Sequence, residues 1–234
     1  MDELFSAVCN TIAYTFISTT ICIMLSSWIV YNIIFKIKKN SIKIILLLIF
    51  MLPSLLSSVS NSIIWKYLFT YNYGFINNIL VSLGGTKIYW LTEYSFSLFI
   101  LCSANIIRAT GYYMLFFIPA MLQVPQNIFR ASIIDGASHK TIYLKQIMPY
   151  INPYLKITLL LCLIDNLKQY DLHYLILGNK AMQSANINTL FTLYYKYFYT
   201  INNRAMACAI AVIGIIVIVF VLIMFLIAFK IIYG

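Results

Sequence analysis

Residues 129–153 read FRASIIDGASHKTIYLKQIMPYINP, and this stretch, called the elbow below, organises the expectations for the whole chain. Apolar and polar residues alternate here at helical spacing, with Asp135 and Gly136 near the middle and Pro149 and a second proline at the end. Glycine accepts the positive φ that ends a helix, and Ser138 can accept a backbone N–H at the start of the next one. The pattern predicts two short amphipathic helices that meet at an angle.

Long apolar segments flank the elbow on both sides. Of the 234 residues, 62% are hydrophobic and 9% charged, whereas soluble domains carry roughly 25% charged residues. A hydrocarbon core of about 30 Å needs roughly 20 apolar helical residues. The composition therefore predicts an all-α membrane protein, a polytopic helical bundle that forms a single domain over residues 1–234. Five spans are predicted, at residues 11–35, 42–64, 95–122, 155–177 and 205–232.

The chain has a net charge of +10, and many of its basic residues lie beside the predicted spans. In a soluble protein such a charge would suggest nucleic acid, but basic residues beside spans set topology and meet anionic membrane lipid. Four lysines lie within the Lys36–Lys43 turn, and the elbow holds Arg130, Lys140 and Lys145. This bias predicts a multi-pass protein of the inner or plasma membrane, with the elbow and the C-terminus in the cytoplasm and no nucleic-acid partner.

Enzyme chemistry finds little support in the sequence. The five cysteines fall almost entirely within apolar blocks, His139 and His173 are isolated, and no metal-type spacing is present. Asp135 and Gly136 could open the motif of a membrane alcohol phosphotransferase, but the later carboxylates of that motif are missing. No phosphate-binding loop is present either. We therefore predict no catalytic residue and no metal site.

The elbow resembles the EAA loop of ABC-importer permeases. Ala131, Asp135, Gly136, Ala137 and Pro149 stand at the spacing of that loop, with thirteen positions from the glycine to the proline. Six further motifs stand in the order found in the sugar-importer branch: Gly74 with Asn77, Tyr89-Trp90-Leu91, Arg108 with Gly111, Leu122-Gln123-Val124-Pro125, Asp171-Leu172 with Tyr174, and Ala207 with Ala209, Ile210 and Ala211.

Together these motifs resemble the MalF-type permeases of maltose, multiple-sugar and glycerol-phosphate importers, from about Asn10 to Ile232. The resemblance implies a permease subunit for a sugar or oligosaccharide, with a cytoplasmic coupling loop at residues 123–153. It also implies a second permease, a cytoplasmic ATPase dimer that binds the ATP, and an extracytoplasmic solute-binding protein; no cofactor is expected on this chain. The residues expected to couple to the ATPase are Arg130, Ala131, Ser132, Asp135, Gly136, Ala137 and Pro149.

Several positions depart from the family pattern. Arg130 stands where the family has its first Glu, Ser132 where it has Ala, and Asn179-Lys180-Ala181 where it has most of a GGP turn. The family normally has six spans, one more than the five predicted here. Two alternatives therefore remain open: a permease for glycerol-phosphate or another small polar solute, and a degenerate membrane subunit kept for assembly.

Polar residues within the fourth predicted span also allow two interpretations. Asp165, Lys168 and Asp171 are three or four positions apart, so they can pair on one helical face and, with Arg108, set helix register. In the other interpretation the cluster lines the solute passage, where amides and carboxylates bind sugar hydroxyls and an aromatic ring stacks on a sugar. The residues predicted for that passage are Asn166, Gln169, Tyr170 and Asp171.

Overall fold

The computed structural model describes residues 2–233, with the backbone alone for residues 2, 126, 179, 180, 183 and 228–233. All regular structure in that range is helical, which confirms the prediction of an all-α membrane protein. Three π-helical segments, Asn32–Lys36, Ile142–Ile147 and Lys196–Thr200, adjoin α-helices. The α-helices are α1 Asp2–Tyr31, α2 Asn40–Leu55, α3 Ser58–Phe69, α4 Phe75–Ser82, α5 Tyr94–Leu122, α6 Gln126–Ile134, α7 His139–Thr141, α8 Met148–Leu167, α9 Asp171–Ser184, α10 Leu190–Tyr195 and α11 Arg204–Tyr233.

Four helical stretches of the described chain are long and apolar enough to cross a membrane: Glu3–Lys36, Tyr94–Leu122, His139–Leu167 and Arg204–Ile227. A fifth span is present if α2 and α3, which are bent by 90° at their junction, are counted as one. These stretches correspond to the five predicted blocks, but the second and fourth differ in form.

The predicted span 42–64 is broken rather than continuous. Pro53 lies near the end of α2, and Leu56 is extended, with φ −70° and ψ 137°. Ser57 then begins α3 by accepting a hydrogen bond from the Ser60 N–H at 3.1 Å. A serine at this position satisfies an N–H that a helix start leaves unpaired, so it favours a new helix over continuation of the old one.

The predicted span 155–177 is displaced towards the N-terminus. One helical stretch runs from His139 to Leu167 and passes through Pro149, which the sequence interpretation placed at the end of the loop. The stretch ends before the polar residue Lys168, and α9 begins at Asp171 as a separate helix. The polar residues Asp165, Lys168 and Gln169 lie where the stretch ends, and they offer no apolar surface that a longer helix could bury.

The chain forms two compact units. The first comprises the residues up to Ser18, Ser57–Asn105 and the residues from Leu163 onward, and the second comprises Thr19–Leu56 and Ile106–Cys162. The core of the second unit contains Met114 and Phe117 of α5 and Ile147 and Ile151 of the elbow, all of which are fully buried.

Asn77 is a hydrogen-bonding centre of the first unit. Its side chain is fully buried, and its Nδ2 donates to the carbonyls of Tyr71 at 3.2 Å and Ile88 at 3.0 Å. Its Oδ1 accepts from the Ile88 N–H at 3.1 Å and from Trp90 Nε1 at 2.9 Å. The motifs Gly74 with Asn77 and Tyr89-Trp90-Leu91 therefore meet through one side chain, which satisfies two donors and two acceptors of a non-helical loop.

Gly111 allows two helices of the second unit to approach closely. A Cβ placed at Gly111 on α5 would lie 2.6 Å from the Phe50 carbonyl oxygen and 3.0 Å from Met51 Cα, both on α2. Small residues at such crossings are typical of membrane helices, because packing contacts replace the hydrophobic effect there. Within the motif formed by Arg108 and Gly111, the glycine therefore serves the packing of α5 against α2.

Candidate functional site

The turn of the elbow is built by glycine. The N–H of Ala137 donates to Ser132 O and the N–H of Gly136 donates to Ile133 O, each at 3.0 Å. Gly136 has φ +72°. This is the Schellman arrangement, in which a residue in the left-handed region lets the chain satisfy the last carbonyls of a helix. The predicted end of the first elbow helix at Gly136 is confirmed.

The second elbow helix begins at the predicted cap. Ser138 Oγ accepts a hydrogen bond from the Thr141 N–H at 3.2 Å. The helix then widens into the π-helical segment Ile142–Ile147, where the Met148 N–H donates to Tyr143 O, five residues back. Pro149 follows at once and has no N–H to donate. The wider turn interrupts the regular ladder beside the proline, so the helix continues through it.

Aromatic side chains hold the elbow to the end of α1 within the second unit. The rings of Phe35 and Phe129 lie 4.9 Å apart. The Tyr31 hydroxyl contacts His139 Nδ1 at 3.1 Å, and the Tyr143 hydroxyl donates to Ser27 Oγ at 2.9 Å. Because the contacts come from both halves of the elbow, its angle is fixed relative to α1.

The predicted coupling residues divide between two faces of the elbow. Ser132 is buried and donates to Ile128 O at 2.9 Å, and Ala137 is half-buried. Ile134, which the sequence interpretation did not single out, is 85% exposed at the tip. Ile133 beside it is 48% exposed, so the tip presents two adjacent apolar side chains. The remaining predicted coupling residues are exposed: Arg130, Ala131, Asp135, Gly136 and Pro149.

The four predicted passage residues lie around the break between α8 and α9. Asn166 is buried, and its Oδ1 accepts from Asn105 Nδ2 at 2.7 Å. Gln169 and Tyr170 are half-buried, and the Tyr170 ring stacks on Tyr195 with centroids 5.3 Å apart. Asp171 is exposed in the first turn of α9. Asn166 is thus buried, and Gln169, Tyr170 and Asp171 lie together at the break between the two helices.

The predicted shared helical face of Asp165, Lys168 and Asp171 is not formed. Asp165 belongs to α8, Asp171 begins α9, and Lys168 lies between the two helices. Asp165 and Lys168 are also exposed rather than buried. The break removes Asp171 from the helix of Asp165, because residues three or four apart are neighbours only on a continuous helix. The Lys168 N–H still donates to Ile164 O at 3.2 Å, so pairing of Asp165 with Lys168 stays a prediction, at exposed rather than buried positions.

A buried polar face on α1 was missed by the sequence interpretation. Asn10 Nδ2 donates to the carbonyls of Asn186 and Asn188 at 2.8 and 3.1 Å, and Thr11 Oγ1 accepts from the Leu190 N–H at 3.0 Å. These contacts hold α1 to the loop before α10. The signal was present in the apolar N-terminal block as a spaced set of polar residues: Asn10, Thr11, Thr15 and Ser18.

This polar face extends to His173. That residue belongs to α9, which is not one of the candidate membrane spans. His173 is fully buried, and its ring meets that of Tyr14 edge-on with centroids 4.3 Å apart. Within the described chain, His173 Nε2 and the Thr15 hydroxyl have no hydrogen-bond partner. Burial lowers the pKa of His173 to about 3, so this imidazole stays neutral at physiological pH. Polar groups that are buried and only partly paired are typical of sites that hold water or a polar solute.

His173 predicts a specific pH dependence of stability. Its pKa is lower in the folded protein than the ordinary value of 6.5, so the unfolded chain binds more protons between the two values. Stability is then fully present above about pH 6.5 and falls as the pH drops towards 3, by up to about 1.4 kcal/mol per pH unit. The midpoint of thermal unfolding in detergent should fall between pH 7.5 and 5, and His173→Gln should flatten that slope. An unchanged slope in the variant would contradict the assignment.

Comparison with known proteins decides the family. The model of the family "binding-protein-dependent transport system inner membrane component" matches residues 23–232, nearly the whole chain. The chain belongs to this family. The match includes the whole elbow. Together with the curated relatives described next, it confirms the resemblance to MalF-type permeases that the motifs predicted.

Two curated relatives of this inner-membrane component are named as sugar permeases. It is 23% identical over 217 residues to the trehalose/maltose transport system permease protein MalF of Thermococcus litoralis, covering 92% of this chain and 71% of that protein. It is 25% identical to the xylose/arabinose import permease protein XacH of Haloferax volcanii, covering 90% of this chain and 65% of that protein. The chain therefore spans about two thirds of the length of these relatives.

A solved structure shares the fold of this inner-membrane component. A chain from a bacterial ABC transporter involved in the import of the acidic polysaccharide alginate superposes with a TM-score of 0.88. The match covers all of this chain and 81% of the other, at 17% sequence identity. At that identity the likeness establishes the fold, which agrees with the family assignment.

Proposed function

We propose that this chain is the permease subunit of a binding-protein-dependent ABC importer for a sugar or oligosaccharide. The observation that carries the proposal is the elbow itself, which lies within the matched family region and presents a rigid exposed turn at Gly136. The elbow would contact a cytoplasmic ATPase dimer, where ATP is bound and hydrolysed. A second permease and an extracytoplasmic solute-binding protein would complete the importer.

Coupling requires that the ATPase bind the two states of the permease differently, because only a difference in affinity shifts a conformational equilibrium. The elbow suits that role because aromatic contacts tie it to α1. A displacement of the turn would therefore be passed to a membrane span rather than absorbed by a loose loop. The lysines of the Lys36–Lys43 turn support a cytoplasmic position for this end of α1.

The buried polar groups of the first unit support a neutral, hydroxyl-bearing solute. Asn166, Asn105 and Thr15 carry no charge, and the low pKa keeps His173 neutral. Amides and hydroxyls both donate and accept, which matches the hydroxyl groups of a sugar. A phosphate ester would instead favour buried lysine or arginine in this region. We therefore propose Asn166, Gln169, Tyr170 and Asp171 as part of a sugar path that also includes the polar face of α1.

The assignment of the elbow is tested with Gly136→Asp in the assembled importer. Aspartate tolerates positive φ better than most residues, so the elbow should still form, while a new carboxylate faces the partner. We expect co-purification with the ATPase, or solute-stimulated ATP hydrolysis, to fall at least tenfold. The measurement compares both quantities for the variant and the parent importer.

Gly84→Asp is the matched control, because Gly84 also has positive φ, +85°, and has open space around a new Cβ. It lies in the loop after α4, which belongs to the first unit, whereas the elbow belongs to the second. This control should keep both complex formation and stimulated ATP hydrolysis. If Gly136→Asp kept them as well, the elbow would not be the coupling surface.

A further inference from the structure

A cationic pocket of about 420 Å³ lies in the second unit, where α1 ends and α2 begins. It is separate from the tip of the elbow at Ile134. Three of its lining residues are basic, Lys38, Lys43 and Arg130, and no carboxylate is among the described residues that line it. The remaining lining residues are mainly apolar: Ile34, Phe35, Ile37, Asn40 and Phe129.

Lys38 and Lys43 give this pocket positive charge and hydrogen-bond donors. Lys43 Nζ donates to Ile34 O at 2.8 Å, which uses one of the three donors of its ammonium group. The described residues of the second unit include nine lysines and arginines but a single carboxylate, that of Asp135 at the exposed turn. An anion bound in the pocket would therefore meet the remaining donors of Lys43 and a positive field.

An exposed apolar stripe begins at the same pocket. Asn40 lies in the first turn of α2 and lines the pocket, and Ile44 and Leu48 follow at positions four and eight residues later on the same helical face. Ile44 and Leu48 are each 58% exposed. The surface of α2 is thus cationic at its start and apolar further along. A lipid with an anionic headgroup and apolar chains has the complementary distribution.

We propose that this pocket binds the headgroup of an anionic phospholipid, with the acyl chains along the exposed face of α2. Lys38, Lys43 and Arg130 would bind the phosphate, and Phe35 and Phe129 would pack against the glycerol and the first methylenes. Basic pockets at the ends of membrane helices are known to take such headgroups. Arg130 is also a predicted coupling residue, so the tests below change only Lys38 and Lys43 among the basic residues of the pocket. The part of the proposal that those lysines carry does not depend on coupling to an ATPase.

Native mass spectrometry of the full-length chain in zwitterionic detergent tests this site. Phosphatidylglycerol and phosphatidylcholine with matched acyl chains are titrated, and retained lipids are counted. The parent protein should retain phosphatidylglycerol preferentially. Lys38→Gln with Lys43→Gln should lower phosphatidylglycerol binding at least tenfold, because two charge-assisted hydrogen bonds to the phosphate would be lost. Glutamine at position 43 can still donate to Ile34 O, so the local fold should be kept.

The matched control is Lys36→Gln with Lys39→Gln, which removes the same charge from the same turn at positions that do not line the pocket. We expect this control to change phosphatidylglycerol binding less than twofold. An equal loss of phosphatidylglycerol binding in both double variants would overturn the site, because it would indicate only a general attraction between basic residues and anionic lipid. Displacement of the lipid by soluble glycerol phosphate at equal concentration would show that the acyl chains add nothing, and would also overturn it.

Two further measurements complete the test. Lys38→Gln alone, at an exposed side chain, guards against misfolding of the double variant and should lower phosphatidylglycerol binding about fivefold. Co-purification of the double variant with the ATPase distinguishes lipid from an acidic protein partner. Lost co-purification with unchanged lipid binding would assign the pocket to that partner and overturn the proposal.

Discussion

Asn77→Ala should lower the free energy of unfolding of the first unit by about 4 kcal/mol, the largest effect that we expect from a single side chain. The variant removes the hydrogen bonds that Asn77 makes to four groups: the carbonyls of Tyr71 and Ile88, the Ile88 N–H and Trp90 Nε1. A buried polar group without a partner costs about 1–3 kcal/mol, and water entering the loop would recover part of the sum.

The adjacent residue supplies the control for this prediction. Asn78 is exposed on the same helix, so Asn78→Ala should change stability by less than about 0.5 kcal/mol. Thermal unfolding in detergent gives the stability difference, and hydrogen exchange at the Ile88 N–H reports the loop directly. Equal melting of the two variants, with Ile88 still protected in Asn77→Ala, would rule out Asn77 as the centre of this loop.

Gly111→Ala is expected to cost about 2 kcal/mol through overpacking. The new Cβ would lie 2.6 Å from the Phe50 carbonyl oxygen, closer than such contacts occur, and the obstacle is backbone that no rotamer change can move. Helix α2 would have to move away from α5, and the loss would exceed the gain in helix propensity. The measurement is again the unfolding midpoint in detergent, with transport of solute as a second readout.

Gly214→Ala provides the comparison within another membrane helix. The nearest atom to a Cβ there is Phe191 Cε2 at 3.9 Å, an ordinary contact distance. This variant should be neutral or up to about 1 kcal/mol more stable, since alanine favours helix over glycine. The packing account would fail if Gly111→Ala behaved like Gly214→Ala.

Local signals in the sequence predicted the parts of the structure that depend on local physics. Gly136 and Ser138 lie where the first elbow helix ends and the next begins, because the φ preference of glycine and the hydroxyl of serine act on their own backbone neighbours. The apolar blocks predicted most of the membrane helices for a similar reason, since length and hydropathy alone decide whether a helix can cross.

The features that the sequence did not predict depend on contacts distant in the chain or on two local effects in competition. Asn77 was noticed as part of a motif, but its role rests on partners up to 13 residues away. Pro149 was taken as the end of the loop, whereas the preceding π-helical segment lets the helix pass through it. The polar residues of α1 were visible in the sequence, but nothing near them indicated which residues they contact, because those partners lie 176 to 179 positions later in the chain.

The π-helical segment Ile142–Ile147 has a consequence for how this region tolerates changes of length. A π turn holds one residue more than the α turn that it replaces. Deletion of one residue there would let ordinary four-residue bonds close the gap, and the flanking stretches would keep their facing. The same deletion further along α8 would rotate every later side chain by about 100° around the axis. Between Thr141 and Met148, one residue can therefore be deleted without rotating the rest of the span about its axis.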